Sequence, residues 1–184
     1  MATRLAWLLL AIALPLQAAE VEGVKFEDKA TVAGTELALS GAGLRKRFIF
    51  DVYAMALYVK DPKSDRVAQP GAKRIAIRML RNVDADTFSK ALIDGMRPNS
   101  DEAKMKALEP QIAALTAIMA QMKEAKKGMA IDLDWVPGAG TQMAVDGEAE
   151  GAPIEGEDFY AALLRIWLGP KPVQDDLKKA LLGA

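Results

Sequence analysis

The stretch GLRKRFIFDVYAMALYV, residues 43–59, has over most of its length the composition of a long buried strand, which makes it the centre of the predicted sheet. We predict a single strand here, from about Leu44 to Lys60. Successive side chains of a strand point to opposite faces of its sheet. One predicted face therefore carries Arg45, Arg47, Ile49, Asp51, Tyr53, Met55, Leu57 and Val59. Both faces are apolar after residue 52, which predicts that the second half of the strand is covered on both sides.

The same face changes from charged to apolar along its length, which suits a binding site. Arg45 and Arg47 come first, Tyr53 follows, and only apolar side chains come after it. An arginine can bind a carboxylate through two parallel hydrogen bonds, and a tyrosine hydroxyl can add a third donor. Small-molecule pockets combine apolar walls with a few polar groups. This pattern would suit an anion at one end and an apolar body at the other.

A purely structural interpretation of these residues stays open. Arg47 and Asp51 lie four residues apart and can pair with neighbours at a sheet edge. Tyr53 can be an ordinary core tyrosine whose hydroxyl is hydrogen-bonded. A β-bulge between Gly41 and Gly43 would shift every later side chain to the opposite face.

The rest of the chain groups its predicted strands and helices in separate runs. The predicted strands are VEGVKFEDKATVAG with a turn at Gly34, TELALSGAG, KRIAIRML, and the hairpin MAIDLDWVPG–TQMAVDG. Helices are predicted from the cap Asp84 to Met96, from Asp101 to Lys127, and over EDFYAALLRIWLG and PVQDDLKKALLG. Pro110 predicts a kink or a fresh helix start inside the second of these. This order indicates an α+β fold, a largely antiparallel sheet with helices on one face.

Composition excludes several classes of function. The chain has 184 residues, which suits one domain, and a net charge of −1, so no basic excess favours nucleic acid. It contains neither histidine nor cysteine. Serine–histidine catalysis, cysteine–histidine catalysis and the usual zinc sites are therefore excluded, and an exported domain would have to be stable without disulfides. We expect no cofactor and no metal.

Residues 1–19 have the three-part pattern of a secretory signal peptide. Arg4 supplies a positive start, LAWLLLAIALPL is an apolar run, and QAA offers small residues for cleavage. An uncleaved anchor is the alternative, but the run is shorter than the about 20 residues that a membrane span needs. We predict cleavage after Ala18 or Ala19, a domain at 20–184, a periplasmic or secreted location, and no integral membrane span after cleavage.

Two further motifs favour structure over chemistry. The GAG sequences at 41–43 and 138–140 do not lead into a helix with lysine and serine, so they are not phosphate loops. Asp132 and Asp134 lie on one side of a predicted strand, and paired carboxylates can perform acid–base chemistry. We interpret them instead as part of a solvated face.

Three stretches together resemble the bacterial exported branch of the chalcone isomerase-like family. They are GAGLRKRFIFDVYAMALYV, ALIDGMRPN and GEDFYAALLRIWLGPKPVQDDLKKALLG, and the resemblance runs from about Val21 to Gly183. The most specific piece is FYAALLRIWLGPKPV. The resemblance implies an open-faced β-sandwich with a large antiparallel sheet covered by a layer of helices, which agrees with the α+β prediction.

The resemblance implies one of two activities. Plant enzymes of the family cyclise a chalcone to a flavanone, whereas non-catalytic relatives bind fatty acids in the equivalent cleft. The family's arginine matches Arg45, with Arg47 as a rival, and the hydroxyl residue that polarises the ketone through water matches Tyr53. The enzymes' tyrosine and asparagine, seven residues apart, fall at Phe88 and Gly95. Neither can replace them, which argues against isomerase activity.

We therefore expect a periplasmic, non-catalytic protein that binds a fatty acid or a similar amphipathic carboxylate. The predicted ligand-binding residues are Arg45, Arg47, Tyr53, Phe88, Leu92 and Tyr160; Tyr160 matches a serine or threonine position of the enzymes, and Met55 and Leu57 are further candidates for tail contacts. One alternative is an isomerase or lyase with Arg45 as electrophile and Tyr53 as acid or proton relay. Another is an interaction module whose cleft is filled by its own side chains.

Overall fold

The computed structural model of the protein describes residues 18–184, so all but the last two residues of the predicted signal peptide lie outside the described part. Within it the elements are β1 (Ala19–Val21), β2 (Val24–Phe26), β3 (Lys29–Val32), β4 (Thr35–Arg47), β5 (Phe50–Val59), β6 (Lys73–Met79), β7 (Val83–Asp84), α1 (Ala85–Met96), a 3-10 helix (Arg97–Asn99), α2 (Glu102–Ala107), α3 (Glu109–Ala120), β8 (Glu124–Ala125), β9 (Ala130–Val136), β10 (Gly140–Val145), β11 (Glu148–Ile154), α4 (Glu157–Leu168) and α5 (Asp175–Leu181).

Seven strands form one antiparallel sheet in the order β11-β10-β9-β6-β5-β4-β3. One face packs against the helices in the larger core, which includes Tyr53, Met55, Ile77 and Trp167. The other face forms a smaller core with Phe26 of β2. The predicted α+β class and the open-faced sandwich are confirmed. The alternation of β5 explains both cores, because its odd-numbered residues enter the first and its even-numbered residues enter the second.

The prediction of one strand from Leu44 to Lys60 is wrong, because this stretch is a β-hairpin. The chain reverses at Phe48 and Ile49, and Phe48 has φ 56, a conformation that is uncommon for residues other than glycine. No Gly, Asn or Pro marks the turn, so no local signal predicts it. The two arms pair along most of their length, from Ala38 with Val59 to Arg47 with Phe50, and this pairing fixes the turn.

Two bulges interrupt the pairing of β4 with β5, one at Ser40 of β4, beside the predicted position, and one at Val52 of β5, which was not predicted. The register of β4 with β5 shifts between Leu39 and Gly41 and again between Arg45 and Lys46. At the second shift, Arg45 pairs with Tyr53 and Lys46 pairs with Asp51, so Val52 is the extra residue. The bulge keeps Arg45 directly opposite Tyr53, and therefore on the same face of the sheet.

Most helix starts are predicted correctly, but the last helix begins at Asp175 rather than at Pro172, and one predicted end is wrong. Asp84 caps α1 through a bond from Thr87 N to its Oδ1 (3.0 Å), and Pro110 lies at the start of α3, as predicted. The helix predicted to reach Lys127 ends instead at Ala120. Lys123 takes φ 60 and the chain then forms β8, which pairs with β7. Tertiary pairing thus overrides the local preference for helix.

The sequence analysis missed β11 and misread two aspartates. An Asp146–Gly147 turn, with φ 51 and 88, connects β10 to β11; such a pair is a hairpin signal. Asp132 and Asp134 do not form a solvated face. Arg74 donates to Asp134 through Nε and Nη2 at 2.6 Å each, and Arg78 Nη1 donates to Asp132 at 2.7 Å. These cross-strand pairs neutralise the carboxylates on the sheet.

The glycines of the first GAG motif allow α5 to pack directly on β4. A Cβ added at Gly41 would lie 2.1 Å from the carbonyl oxygen of Ala180. A Cβ at Gly43 would lie 2.7 Å from Ala180 Cβ and 2.8 Å from Leu177 Cδ1. Ser40 Oγ donates to the carbonyl of Leu181 at 2.9 Å in the same contact. The motif therefore has a packing role.

Gly41→Ala should lower the free energy of unfolding more than Gly43→Ala does, as measured by urea denaturation. At Gly41 the obstacle is the backbone of α5, which cannot move without the helix, whereas at Gly43 it consists of side chains. Overpacking of this kind costs about 1–3 kcal/mol. Equal losses, or a larger loss for Gly43→Ala, would contradict this packing.

Candidate functional site

The principal cleft of the described residues lies between the central hairpin, the loop before α1, and helices α1 and α4. Its volume is about 420 Å³, within the about 300–1,000 Å³ typical of small-molecule sites. It is lined by Arg45, Arg47, Phe48, Phe50, Val52, Tyr53, Arg81, Asn82, Val83, Asp84, Thr87, Phe88, Ala91, Leu92, Ile166 and Val173. Five of the six predicted ligand-binding residues therefore meet at one cavity, and Tyr160 does not.

Tyr53 lies in this cleft with its hydroxyl proton available. Its side chain is buried, and its oxygen accepts a hydrogen bond from Trp167 Nε1 at 2.9 Å. Within residues 18–184 no protein acceptor takes the proton of this hydroxyl, whereas those of Tyr58 and Tyr160 donate to backbone carbonyls. A buried hydroxyl normally finds partners for both of its roles. Tyr53, which lines the cleft, thus has an unused hydrogen-bond donor.

The protonation state of Tyr53 is set by its burial. Burial raises the pKa of Tyr53, while the hydrogen bond from Trp167 and the nearby charge of Arg45 act in the opposite direction without reversing the shift. The phenol therefore keeps its proton at neutral pH. It can donate a hydrogen bond to an anion, but it is a poor base.

Gln174 holds Arg45 in place beside Tyr53. Arg45 Nη1 donates to Gln174 Oε1 at 3.3 Å and to the carbonyl of Lys46. The same Gln174 oxygen accepts from Lys46 N at 2.8 Å, and Gln174 Nε2 donates to the carbonyl of Leu44 at 3.0 Å. The carboxamide thus pairs with the edge of β4 as a neighbouring strand would. This arrangement fixes the guanidinium relative to the phenol.

The cleft contains three arginines without ion-pair partners. Within the described part of the chain, no carboxylate lies within ion-pair distance of Arg45, Arg47 or Arg81. Asp84 also lines the cleft, but its Oδ1 is used in capping α1. Arginine pairs readily with carboxylates in two-point contacts, so these groups leave the site attractive to anions.

The apolar wall of the cleft comes from α1, from Ile166 and Val173 in and after α4, and from the tip of the hairpin, and not from the distal half of β5. Phe88 and Leu92 are buried and line the cleft, and the Phe88 ring lies 6.1 Å from that of Tyr53. Met55 and Leu57, which we expected to contact a ligand tail, are core residues that do not line it. The hairpin explains this correction. Its turn and the adjoining ends of β4 and β5 border the cleft, whereas the rest of β5 lies under the helices.

Tyr160 has a structural role away from the cleft. Its hydroxyl donates to the carbonyl of Leu133 at 2.9 Å, and its ring lies 6.0 Å from that of Trp135. Burial raises its pKa well above the ordinary value. We therefore remove Tyr160 from the candidate binding residues.

Gly95, which aligns with the asparagine of the plant enzymes, is tightly enclosed by side chains of the neighbouring segments. A Cβ added here would lie 2.7 Å from Ile166 Cγ2 and 3.1 Å from Val173 Cγ1. An asparagine would therefore push α1 away from α4. This chain uses the position for helix packing, and Phe88 has no hydroxyl to offer.

Three contributors to the site were missed in the sequence analysis. Trp167 and Gln174 lie more than 110 residues along the chain from the partners that they bind, so only the folded chain brings them to the site. Arg81 follows a strand, and its side chain stacks over the Phe50 ring at 4.4 Å. A lone arginine in a loop gives no sequence signal of this kind.

No group of three or more acidic residues between residues 18 and 184 is placed to hold a metal ion. In the same range, none of the helices is both long and apolar enough to cross a bilayer.

All three tyrosines of the chain should resist ionisation until the protein unfolds. Burial raises the pKa of Tyr53, that of Tyr58 to about 12, and that of Tyr160. The folded state thus favours the neutral phenols, and this contributes to the stability of the protein below pH 10, the ordinary pKa of tyrosine. The contribution is lost as the pH rises through the raised pKa values of the folded state. Phenolate absorbance should therefore rise steeply together with loss of circular dichroism. A gradual phenolate signal centred at pH 10 in folded protein would contradict the burial of these groups.

Comparisons with known proteins agree with this architecture. The family model described as chalcone isomerase-like matches residues 18–183. The crystal structure of a fatty-acid binding protein from Arabidopsis thaliana has a TM-score of 0.66 at 16% identity, covering 87% of this chain and 92% of that chain, which shows a shared fold. No curated protein matches the chain. The chain belongs to the chalcone isomerase-like family.

Proposed function

We propose that this protein binds a fatty acid or a similar amphipathic carboxylate in the cleft beside the central hairpin, without catalysing a reaction on it. The observation that carries the proposal is that Arg45 and Tyr53 lie opposite each other on neighbouring strands. Within the described chain, the Tyr53 hydroxyl proton has no acceptor and the Arg45 guanidinium has no carboxylate partner. Together they offer the two kinds of donor that a carboxylate accepts.

The rest of the cleft suits the tail of such a ligand. Phe88, Leu92, Ile166 and Val173 form apolar walls close to the polar pair. The solved structure with a shared fold is that of a fatty-acid binding protein, which supports the same ligand class here. The proposed head-group residues are Arg45 and Tyr53; Arg47 lies at the exposed rim and adds positive charge there.

The alternative, an isomerase or lyase of unknown substrate, fits the site less well. Proton transfer needs a group that titrates near the working pH, and the raised pKa of Tyr53 moves it away from that range. The chain contains no histidine to replace it. Turnover of an unsaturated ketone or acid by the purified protein, abolished by Tyr53→Phe, would favour this alternative over ours.

The binding test compares decanoic acid with methyl decanoate by calorimetry, using delipidated protein from residue 18 onward, which contains both cores. Arg45→Ala should weaken binding of the acid about 30-fold or more, because truncating one partner of a buried charge contact costs about 2–5 kcal/mol. Tyr53→Phe should weaken it about tenfold through the lost donor. Binding of the ester should change little in either variant.

The control for this test is Arg97→Ala, which removes an exposed arginine at the far end of α1 and should leave both affinities unchanged. Arg45→Lys keeps the charge without the planar donor pair and should fall between Arg45→Ala and the unchanged protein. Equal losses for acid and ester, or no binding of the acid at all, would overturn the proposal.

We further propose that the protein acts after export, in the periplasm. This part of the proposal is supported by the signal-like sequence of residues 1–19. Cleavage after Ala18 or Ala19 would preserve the pairing of Glu20 with Lys25 in β1 and β2. The intact mass of protein from a periplasmic fraction should correspond to a chain that begins at Ala19 or Glu20. An uncut chain found in the cytoplasmic fraction would contradict export.

A further inference from the structure

The tip of the central hairpin exposes three consecutive large apolar residues. Phe48 is 89% exposed, Ile49 87% and Phe50 50%, and no other large apolar side chain of residues 18–184 is comparably exposed. Single exposed apolar residues are common on protein surfaces, but contiguous ones mark interaction sites. Phe48 also has positive φ, where glycine or asparagine would be easier to accommodate. Folding alone therefore gives no reason for this tip sequence.

Basic side chains surround the tip. Lys46 and Arg47 precede it, and Arg81 lies over the Phe50 ring at 4.4 Å. Lys126 and Lys127 continue the same edge, because Lys127 N donates to Asn82 Oδ1 at 2.9 Å, next to Arg81. We call Lys46, Arg47, Arg81, Lys126 and Lys127 the basic collar.

Acidic groups near the collar only partly offset its charge. Asp51 lies 3.3 Å from Lys46 Nζ, and both side chains are partly exposed. Asp84 and Glu124 face each other across the β7–β8 pair, and Asp84 also caps α1. Five basic residues therefore stand against three acidic ones at this edge, although the whole chain has a net charge of −1.

We propose that the hairpin tip docks on an anionic lipid bilayer, with Phe48 and Ile49 inserted among the lipids and the basic collar against the head groups. Peripheral membrane binding commonly combines apolar side chains at the acyl boundary with basic residues that attract anionic lipids. Phe48, Phe50, Arg47 and Arg81 also line the cleft, so docking brings the cleft entrance to the membrane surface. This surface role goes beyond the binding of a carboxylate and does not depend on it.

A lipid surface fits the tip better than a protein partner does. Stable protein interfaces bury about 800 Å² on each partner, whereas this apolar surface is limited to three residues at the apex of a hairpin. A bilayer needs no shape complementarity, and its anionic head groups match the sign of the collar. A second copy of the chain would have to supply acidic groups around an apolar groove, and the groove between α3 and β11, lined by Ala114, Ile118 and Ile154 among others, has one acidic residue, Glu155.

The test measures co-sedimentation of ligand-free protein, residues 18–184, with vesicles of phosphatidylglycerol and phosphatidylcholine. Binding should be at least about tenfold weaker to vesicles of phosphatidylcholine alone, and it should weaken at high salt. Ile49→Asp should reduce partitioning about tenfold or more, because a carboxylate replaces the inserted side chain. The matched control, Ala103→Asp, places the same group at an exposed site on α2 and should have no effect.

Charge reversal tests the collar in the same way. Arg47→Glu with Arg81→Glu should abolish the preference for anionic vesicles, whereas Lys25→Glu with Lys106→Glu reverses two exposed lysines elsewhere and should preserve it.

A tryptophan introduced at the tip reports insertion. The fluorescence of Phe48→Trp should shift to the blue when vesicles are added, and that of Lys25→Trp should not. Absence of vesicle binding, or equal binding by Ile49→Asp and Ala103→Asp, would overturn the proposal. Self-association in solution that Ile49→Asp abolishes, without vesicle binding, would assign the tip to a second copy instead.

The two proposals can fail separately. Arg45→Ala should weaken binding of decanoic acid while vesicle binding persists, because Arg45 lies beneath the tip and outside the basic collar. Ile49→Asp should reduce vesicle binding while binding of the acid in solution persists, because Ile49 does not line the cleft. Loss of both properties in both variants, with circular dichroism unchanged from that of the unsubstituted protein, would contradict two separate sites.

Discussion

The cross-strand pairing of Arg45 with Tyr53 is the constraint on which the candidate site depends. The bulge at Val52 of β5 preserves this pairing, Trp167 of α4 fixes the phenol from one side, and Gln174 before α5 fixes the guanidinium from the other. Two helices from the end of the chain are thereby attached to the hairpin near its turn. Because the phenol oxygen is used as an acceptor and its proton is not used, the same bonds that stabilise the structure leave a free donor on a residue that lines the cleft.

Close packing at glycine positions determines where the cleft lies. Gly41 and Gly43 let α5 lie on β4, and Gly95 lets α1 approach α4. These contacts close the core on both sides of the hairpin, and the space that remains lies between the first turns of α1 and the hairpin tip. At Gly95 the same packing also removes the room that the plant enzymes' asparagine would need.

The charged residues of the sheet divide into two groups with different consequences. On the face away from the helices, Arg74 and Arg78 are neutralised by Asp134 and Asp132 at short distance. The arginines of the cleft have no such partners within residues 18–184. Buried or half-buried charges are normally paired. The paired group is therefore structural, and the unpaired Arg45 beside a phenol that stays protonated indicates a place for an external anion.

Local composition and periodicity are enough to predict the α+β class, the amphipathic elements, the cap at Asp84 and the concentration of arginine and tyrosine in residues 45–53. The sequence by itself could not show that residues 43–59 form a hairpin, because the turn at Phe48 has no glycine, asparagine or proline and is imposed by pairing along β4 and β5. Only the tertiary structure brought Trp167 and Gln174 to Tyr53 and Arg45, removed Tyr160 and Met55 from the cleft, and exposed the apolar tip. Contacts between residues more than 110 positions apart depend on how the helices pack on the sheet, which no local pattern specifies.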